Sequence, residues 1–259
     1  MSNSYSDYFS DTASLYATYR PRYPASLFAW LADQVPNRTR AWDCGTGSGQ
    51  AADALAQHFG EVIATDPSEA QIRHASACER VHYAAMTAEQ SAIKDGSVQL
   101  VTVAQALHWF HLSSFYEESR RVLAPGGVLA VWTYGLLSIE AALDEQIRIF
   151  YTAEVGDYWP AERALVATGY GGIDFPFHEL KPPEFQMTTN WTLHQLGGYL
   201  ESWSAVSRYR KVHGHSPVGR FISAIQPLWG APDTMKNVSW PLELRVGIHD
   251  PKLSAAACK

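Results

Sequence analysis

From about residue 25 to residue 135 the chain alternates between two hydrophobic rhythms. Short, nearly continuous apolar runs are separated by stretches whose apolar positions recur every three or four residues. The first such stretch predicts a helix over 25–34, stopped at Pro36. A strand over 39–43 follows, then a glycine-rich turn and an alanine-rich helix over 50–58 closed by Gly60. The strand over 61–66 leads to Ser68, a residue suited to cap a helix over 69–78. Strands over 81–85 and 98–104, a helix over 111–123, the breaker Pro125-Gly126-Gly127 and a strand over 128–132 complete the series. Five strands interleaved with helices call for a parallel sheet with right-handed crossovers, a doubly wound α/β core.

The rhythm changes after residue 135. An amphipathic helix is expected over 139–155, and 156–183 is rich in glycine, proline and aromatic residues. A strand over 184–191, helices over 192–211 and 217–229, and a strand over 238–248 follow. Pro241 steers that last strand to an edge or a bulge, because proline cannot donate to a ladder. With no repeat and no low-complexity linker, the chain reads as one unit over 1–259. Within it, 1–35 is an N-terminal segment with the first helix, 36–135 the core, 136–235 a cap and 236–259 a closing strand and tail.

Composition removes several function classes. Among 259 residues the net charge is −6 and no basic block appears, which argues against nucleic acid or an anionic membrane as partner. Hydrophobic residues make up 46%, so the chain is not disordered in general, yet no run approaches the ~18 apolar residues of a membrane span. The N-terminal residues show neither the basic nor the apolar region of a signal peptide. Cys44, Cys78 and Cys258 are odd in number and lack metal-ligand spacing, so a reduced, cytoplasmic setting and no metal are expected.

The chemistry concentrates in Asp43-Cys44-Gly45-Thr46-Gly47-Ser48-Gly49, at the carboxyl end of the first strand. Alternate glycines let a ligand approach the backbone closely and present helix N-terminal amides to it. Asp43 stands where a carboxylate can accept from a cationic amino group. Asp66 ends the second strand, where an acid accepts from ribose hydroxyls. A nicotinamide or flavin dinucleotide would want a small residue at the third fingerprint position, and Gln50 stands there instead. S-adenosylmethionine, an adenosine joined to an amino acid, matches better.

Together with Asp66-Pro67-Ser68, Thr87-Ala88-Glu89 and Arg121-Val122-Leu123-Ala124-Pro125-Gly126-Gly127, this segment resembles the class I S-adenosylmethionine-dependent methyltransferases. The nearer resemblance is to small-molecule carboxyl methyltransferases of the trans-aconitate type. It rests on the Tyr16–Pro24 stretch, on Ala104-Gln105-Ala106-Leu107-His108-Trp109-Phe110 and on Ser202-Trp203-Ser204. The resemblance implies a Rossmann-like sheet of about seven mostly parallel strands, with an N-terminal lid helix and C-terminal cap helices. By it, Gly45, Gly47 and Gly49 would wrap the methionine moiety and Asp66, with Pro67, would hold the ribose. Thr87, Ala88 and Glu89 would border the adenine, and Gln105 and Ala106 would line the methyl-donor site. Thr87 departs from the aspartate that many relatives carry before the Ala-Glu pair. The stretch from Tyr16 to Tyr23 would fold over the cofactor as the lid.

On the acceptor side, Trp109 and Phe110 are expected to shape the pocket, and His108 to orient the acceptor or act as a base. Arg20 and Arg22, which flank Pro21 beside Tyr23, are candidates to bind an acidic substrate or the cofactor carboxylate, and Tyr23 and Trp203 are further candidates on the substrate side. Trp191 and Tyr199 are further candidates to bury the apolar body of the substrate. The run Arg208–His215 reads as a helix end meeting its dipole, and a metal at His213 and His215 is not expected. The implied activity is methyl transfer to a small-molecule acceptor, a carboxylate oxygen by resemblance, with S-adenosylhomocysteine as co-product. Another oxygen, nitrogen or carbon centre, or cofactor binding without catalysis, stays open at this point. So does the choice between monomer and homodimer.

Overall fold

The computed structural model describes residues 19–75 and 77–250. Every strand expected in the first half is present: β1 (Arg40–Cys44), β2 (Glu61–Asp66), β3 (Val81–Ala85), β4 (Val98–Ala104) and β5 (Leu123–Tyr134). They lie parallel in the order β3-β2-β1-β4-β5. β4 is flanked by β1 and β5, and its residues from Val98 to Val103 are all buried, which is why the run is mostly apolar and its two polar members, Gln99 and Thr102, are hydrogen-bonded to β1. On β1 the fully buried Trp42 donates its indole N–H to Thr65 Oγ1 at 2.9 Å, the partner a buried indole requires. Helices α1 (Ala25–Asp33), α2 (Gln50–Leu55), α3 (Glu69–Arg73) and α4 (Leu112–Val122) connect and cover these strands. Ser68 caps α3 as expected, accepting from the Gln71 amide at 3.3 Å. α3 stops at His74, well short of Cys78, where the imidazole Nδ1 reaches the Ala70 carbonyl at 2.8 Å.

The second half departs further from its expected outline. α5 (Ala141–Ile149) gives way to a single π-helical turn, Phe150–Glu154, and then to two 3-10 turns, Gly156–Tyr158 and Ala161–Arg163. A short α6 (Ala164–Ala167) and a three-residue β6 (His178–Leu180) follow inside the stretch that carried no clear periodicity. After β7 (Phe185–Trp191), the helix expected over 192–211 is two helices, α7 (Leu193–Glu201) and α8 (Ser204–His213). The break has a local cause. Ser202 Oγ donates to the Tyr199 carbonyl at 2.6 Å, and Trp203 takes an extended backbone, φ −74° and ψ 135°, with its indole buried. α9 (Val218–Trp229) precedes β8 (Lys236–Ile248).

β8 completes an eight-stranded mixed sheet. It runs antiparallel to β5 from Ile248 opposite Val128 to Leu242 opposite Tyr134, and to β7 from Leu242 to Lys236. β6 joins its far side at residues 246–248. Pro241 fits the expectation locally. It sits just past the end of the β5 pairing and is matched only by Gln186 of β7.

The chain order places the functional cleft. β2 and β3 extend to one side of β1, while β4 and β5 extend to the other. The carboxyl ends of β1 and β4 are therefore neighbours whose outgoing loops diverge, the point at which open α/β sheets bind ligands.

Candidate active site

The turn after β1 is built for close approach. Gly45 has φ +71°, and its N–H donates to the Thr65 carbonyl at 2.8 Å. A Cβ there would lie 2.6 Å from the Ala106 side chain. The Gly47 N–H donates to Asp66 Oδ2 at 3.0 Å, and the Ser68 N–H to Asp66 Oδ1 at 2.9 Å. One carboxylate thus joins the glycine turn to the start of α3. Gly49 has φ +87° and stands before α2; a Cβ there would strike the Tyr83 hydroxyl at 2.2 Å. Gly45 and Gly47 face the cleft, whereas Gly49 lets the turn pack on β3.

Asp43 corrects one expectation. It is fully buried behind the turn, accepting from Thr46 Oγ1 at 2.6 Å and Thr102 Oγ1 at 2.8 Å, and it does not line the cleft. Burial pushes its pKa up to about 6, against the pull of those hydroxyls. The carboxylate serves the loop and is not placed to meet an amino group in the cleft.

Above the carboxyl ends of the strands lies a cavity of about 550 Å³. Its first half is walled by Asp66, Pro67, Gln71 and the segment from Met86 to Glu89, so Thr87, Ala88 and Glu89 are where the sequence put them. The Glu89 carboxylate accepts from the His111 N–H at 2.9 Å at the start of α4. Gln71 was not foreseen. Its Oε1 is buried, has no hydrogen-bond partner, and lies 4.0 Å from where a Gly47 Cβ would be. An orphaned acceptor beside a glycine cradle suits a ligand that brings a donor. Gln71→Leu is therefore expected to raise the melting temperature of the free protein while weakening its cofactor affinity by roughly tenfold or less. Thermal unfolding and calorimetry read the two signs separately. A variant stabilised but equal in affinity would remove Gln71 from the binding set.

The second half begins at Gln105, which holds a left-handed backbone at φ +57° despite its side chain. Conformations of this kind persist where the surroundings enforce them, often at functional sites. Here Gln105 Nε2 donates to the Tyr134 carbonyl at 3.0 Å and Oε1 accepts from Thr133 Oγ1 at 2.5 Å. Ala106 packs against Gly45. His108, nearly buried, has Nδ1 at 2.9 Å from the Tyr170 hydroxyl, and Trp109 lies with its ring centre 4.8 Å away. Burial, assisted by the nearby Arg163, pushes the His108 pKa down to about 3. An imidazole so reluctant to take a proton is poorly suited to the base role among the two expected of it.

Arg20 donates to the Tyr134 hydroxyl at 3.1 Å and to the Ser202 carbonyl at 3.4 Å, and it lies 5.2 Å over the Tyr199 ring. Tyr23 packs edge-on to Trp132 at 5.4 Å. Arg20, Tyr23, Trp109 and Trp203 all reach the cavity. Arg22 is exposed. Trp191 and Tyr199 correct another expectation: both are buried against Trp240, at 5.0 and 5.6 Å, and neither lines the cavity. Their place is taken by Trp159, Pro160, Glu162 and Arg163, which the sequence reading missed. The signal available was Trp159-Pro160 beside a charged pair within an aromatic, aperiodic stretch. Of the expected lid, Tyr16, Ala17 and Thr18 lie outside the described residues, as does Cys258. Tyr19 packs its ring where a Cβ on Gly198 of α7 would fall, so the segment entering α1 straps onto the cap. His213 pairs with the Tyr158 hydroxyl at 2.6 Å, away from the cavity. Among the described residues there is no helix long and apolar enough to cross a membrane, and no cluster of His, Cys, Asp and Glu of metal-holding geometry.

Comparison with known proteins decides the family. A methyltransferase domain family matches residues 42–131, the span from β1 to β5. Over 211 residues the chain is 36% identical to a protein of Dictyostelium discoideum assigned as a methyltransferase, covering 80% of each chain. The chain belongs to the S-adenosylmethionine-dependent methyltransferases. A Saccharomyces cerevisiae protein assigned as an S-adenosylmethionine-dependent methyltransferase is 24% identical over 238 residues, covering 78% of this methyltransferase and 82% of the yeast protein. The solved structure assigned as a type II methyltransferase from Anaeromyxobacter dehalogenans superposes with a TM-score of 0.84 at 41% identity, covering 90% of this chain and all of that one. That similarity reaches well beyond the matched domain and takes in the cap. Family membership implies S-adenosylmethionine as cofactor, and the glycine cradle, Asp66 and the orphaned Gln71 oxygen suit its polar groups.

Proposed function

We propose that this methyltransferase methylates an oxygen of a small acidic molecule, a carboxylate above all. The observation that carries the reading is His108. The buried imidazole in the acceptor half of the cavity is a weak base with Nδ1 already engaged, so the site suits a nucleophile ionised before it arrives. A phenol, an amine or a carbon centre would ask that wall to remove a proton. A binding protein without catalysis would have no use for the aromatic half of the cavity. The resemblance to trans-aconitate-type enzymes supports the same acceptor class, and a concave, partly aromatic pocket fits a small molecule better than nucleic acid or a membrane surface.

In this reading Gly45, Gly47 and Asp66 hold the methionine and ribose parts of the cofactor. Pro67, Gln71, Thr87 and Ala88 border its adenine, and Glu89 shapes that wall through the His111 amide. Gln105 and Ala106 fix the floor between the two halves. S-adenosylmethionine supplies a methyl already activated by its sulfonium. What remains for the protein is alignment and the exclusion of water. Arg20 faces the acceptor, with Tyr23, Trp109 and Trp203 covering its apolar body.

The expected product is a base-labile methyl ester, formed with S-adenosylhomocysteine when the protein is given radiolabelled cofactor and a panel of small carboxylic acids. Arg20→Ala is expected to lower kcat/KM roughly tenfold to a hundredfold, through the loss of one side of a charge pair. A methyl group that survives mild alkali would place the acceptor atom elsewhere and end the carboxylate reading.

A further inference from the structure

We propose that the acceptor half of the cavity contains a subsite for an anionic oxygen, formed by His108 Nε2–H and the Arg163 guanidinium, with Tyr170 as the residue that positions the imidazole. The proposal deepens the carboxylate reading, on which its role in turnover rests, by naming the donors that receive the acceptor.

Arg163 is held, yet its charge is not consumed. Its Nε donates to the Tyr151 hydroxyl at 3.4 Å, and its guanidinium lies 4.5 Å over the Trp159 ring. That ring is fixed in turn, since Trp159 Nε1 donates to the Tyr151 carbonyl at 3.2 Å and the indole packs on Trp203 at 5.5 Å. Among the described residues no carboxylate pairs with Arg163; its neighbour Glu162 is exposed on the same cavity wall. A half-buried guanidinium on a cavity wall, with no carboxylate to neutralise it, is a ready partner for an oxyanion. The turn that carries it, Ala161–Arg163, packs against Leu107–Trp109, the turn that carries His108.

The other donor follows from Tyr170. This residue is fully buried and held at φ +61°, directly after Gly169 at φ +59°. Two successive left-handed residues, one of them a tyrosine, are kept in place by Arg245, whose Nη1 donates to the Tyr170 carbonyl at 3.0 Å and the Ile173 carbonyl at 2.6 Å. The bend drives the phenol beneath His108. Burial keeps the phenol protonated, and its oxygen lies 2.9 Å from His108 Nδ1 with the Thr133 hydroxyl as its other side-chain neighbour; in the proposed arrangement the phenol proton goes to Nδ1. A neutral imidazole that accepts at Nδ1 carries its own proton on Nε2, the nitrogen that Tyr170 does not engage, on a residue that lines the cavity. The ring is then a hydrogen-bond donor beside a cation, and no proton is transferred.

Nitrogen-15 NMR of the histidine rings, on protein loaded with S-adenosylhomocysteine, reads the tautomer without turnover. The expected result is Nε2–H at His108, and a mixture of tautomers in Tyr170→Phe. Butanoate, the probe anion, should shift the His108 and Arg163 side-chain signals, while its neutral counterpart butanamide should not. In Arg163→Gln the butanoate affinity should fall roughly tenfold, with S-adenosylhomocysteine affinity retained as the check on folding. An Nδ1–H ring, with the Tyr170 proton drawn instead to the neighbouring Thr133, would overturn the proposal. So would butanamide binding as well as butanoate, or butanoate failing to bind. Butanoate bound at this subsite without any base-labile ester from the acid panel would overturn carboxyl transfer alone and leave the subsite standing.

Discussion

Gly45→Ala is expected to abolish measurable S-adenosylmethionine binding and to destabilise the fold by about 2–5 kcal/mol. Two effects add at this position. A left-handed φ of +71° penalises any residue with a Cβ, and that Cβ would also sit 2.6 Å from the Ala106 side chain and 3.2 Å from Phe110. Ala106 is anchored to its backbone and cannot swing aside, so either the turn or the segment after β4 must shift, and both border the cleft. Gly214→Ala provides the comparison. It has φ +77° at the end of α8 with nothing within 4 Å of the added atom, so it should suffer the backbone penalty alone, about 1–2 kcal/mol. Urea unfolding of both variants, with calorimetry on the first, separates strain from contact. Equal losses in the two would show that the approach to Ala106 does not require glycine.

Asp66→Ala is expected to weaken S-adenosylmethionine binding by about 1–3 kcal/mol. The carboxylate is a ribose acceptor in the proposed reading, and it also receives the Gly47 and Ser68 amides, so removing it loosens the turn as well as the ligand contact. Asp66→Asn tests the division. It retains one acceptor oxygen for the backbone but loses the charge, and should fall between wild type and alanine. Calorimetry showing full affinity in Asp66→Ala would sink the ribose assignment.

The cofactor half of the site was legible because its determinants are local. A strand, three glycines and an acid at the next strand end all lie between residues 39 and 66, and periodicity alone places them at the carboxyl end of a parallel sheet. The limits of that reading show at Asp43, where the same motif gave no sign that Thr46 and Thr102 would occupy the carboxylate. Thr102 comes from another strand, and only the β1–β4 register brings it near. The acceptor half was far less legible. Trp191, Tyr199 and Trp203 look alike in sequence, yet only Trp203 reaches the cavity, because the helix breaks at Ser202. Arg163 and Trp159 lie in turns too short to leave a period, and Tyr170 depends on a strained bend that no pattern announces.

The placement of β8 bears on how the chain can be made. β6 and β7 are ladders whose strand partner is β8, and β5 offers its outer edge to the same strand, yet β8 lies later in the sequence than all three. On the ribosome the parallel strands β1 to β5 can assemble first. Until residues 236–248 emerge, the edge of β5 is unpaired and the apolar face beneath the cap is uncovered, the kind of surface that invites mispairing. Cap and core therefore close in a single late event, and the acceptor half of the cavity comes into being only after the cofactor half already has a shape.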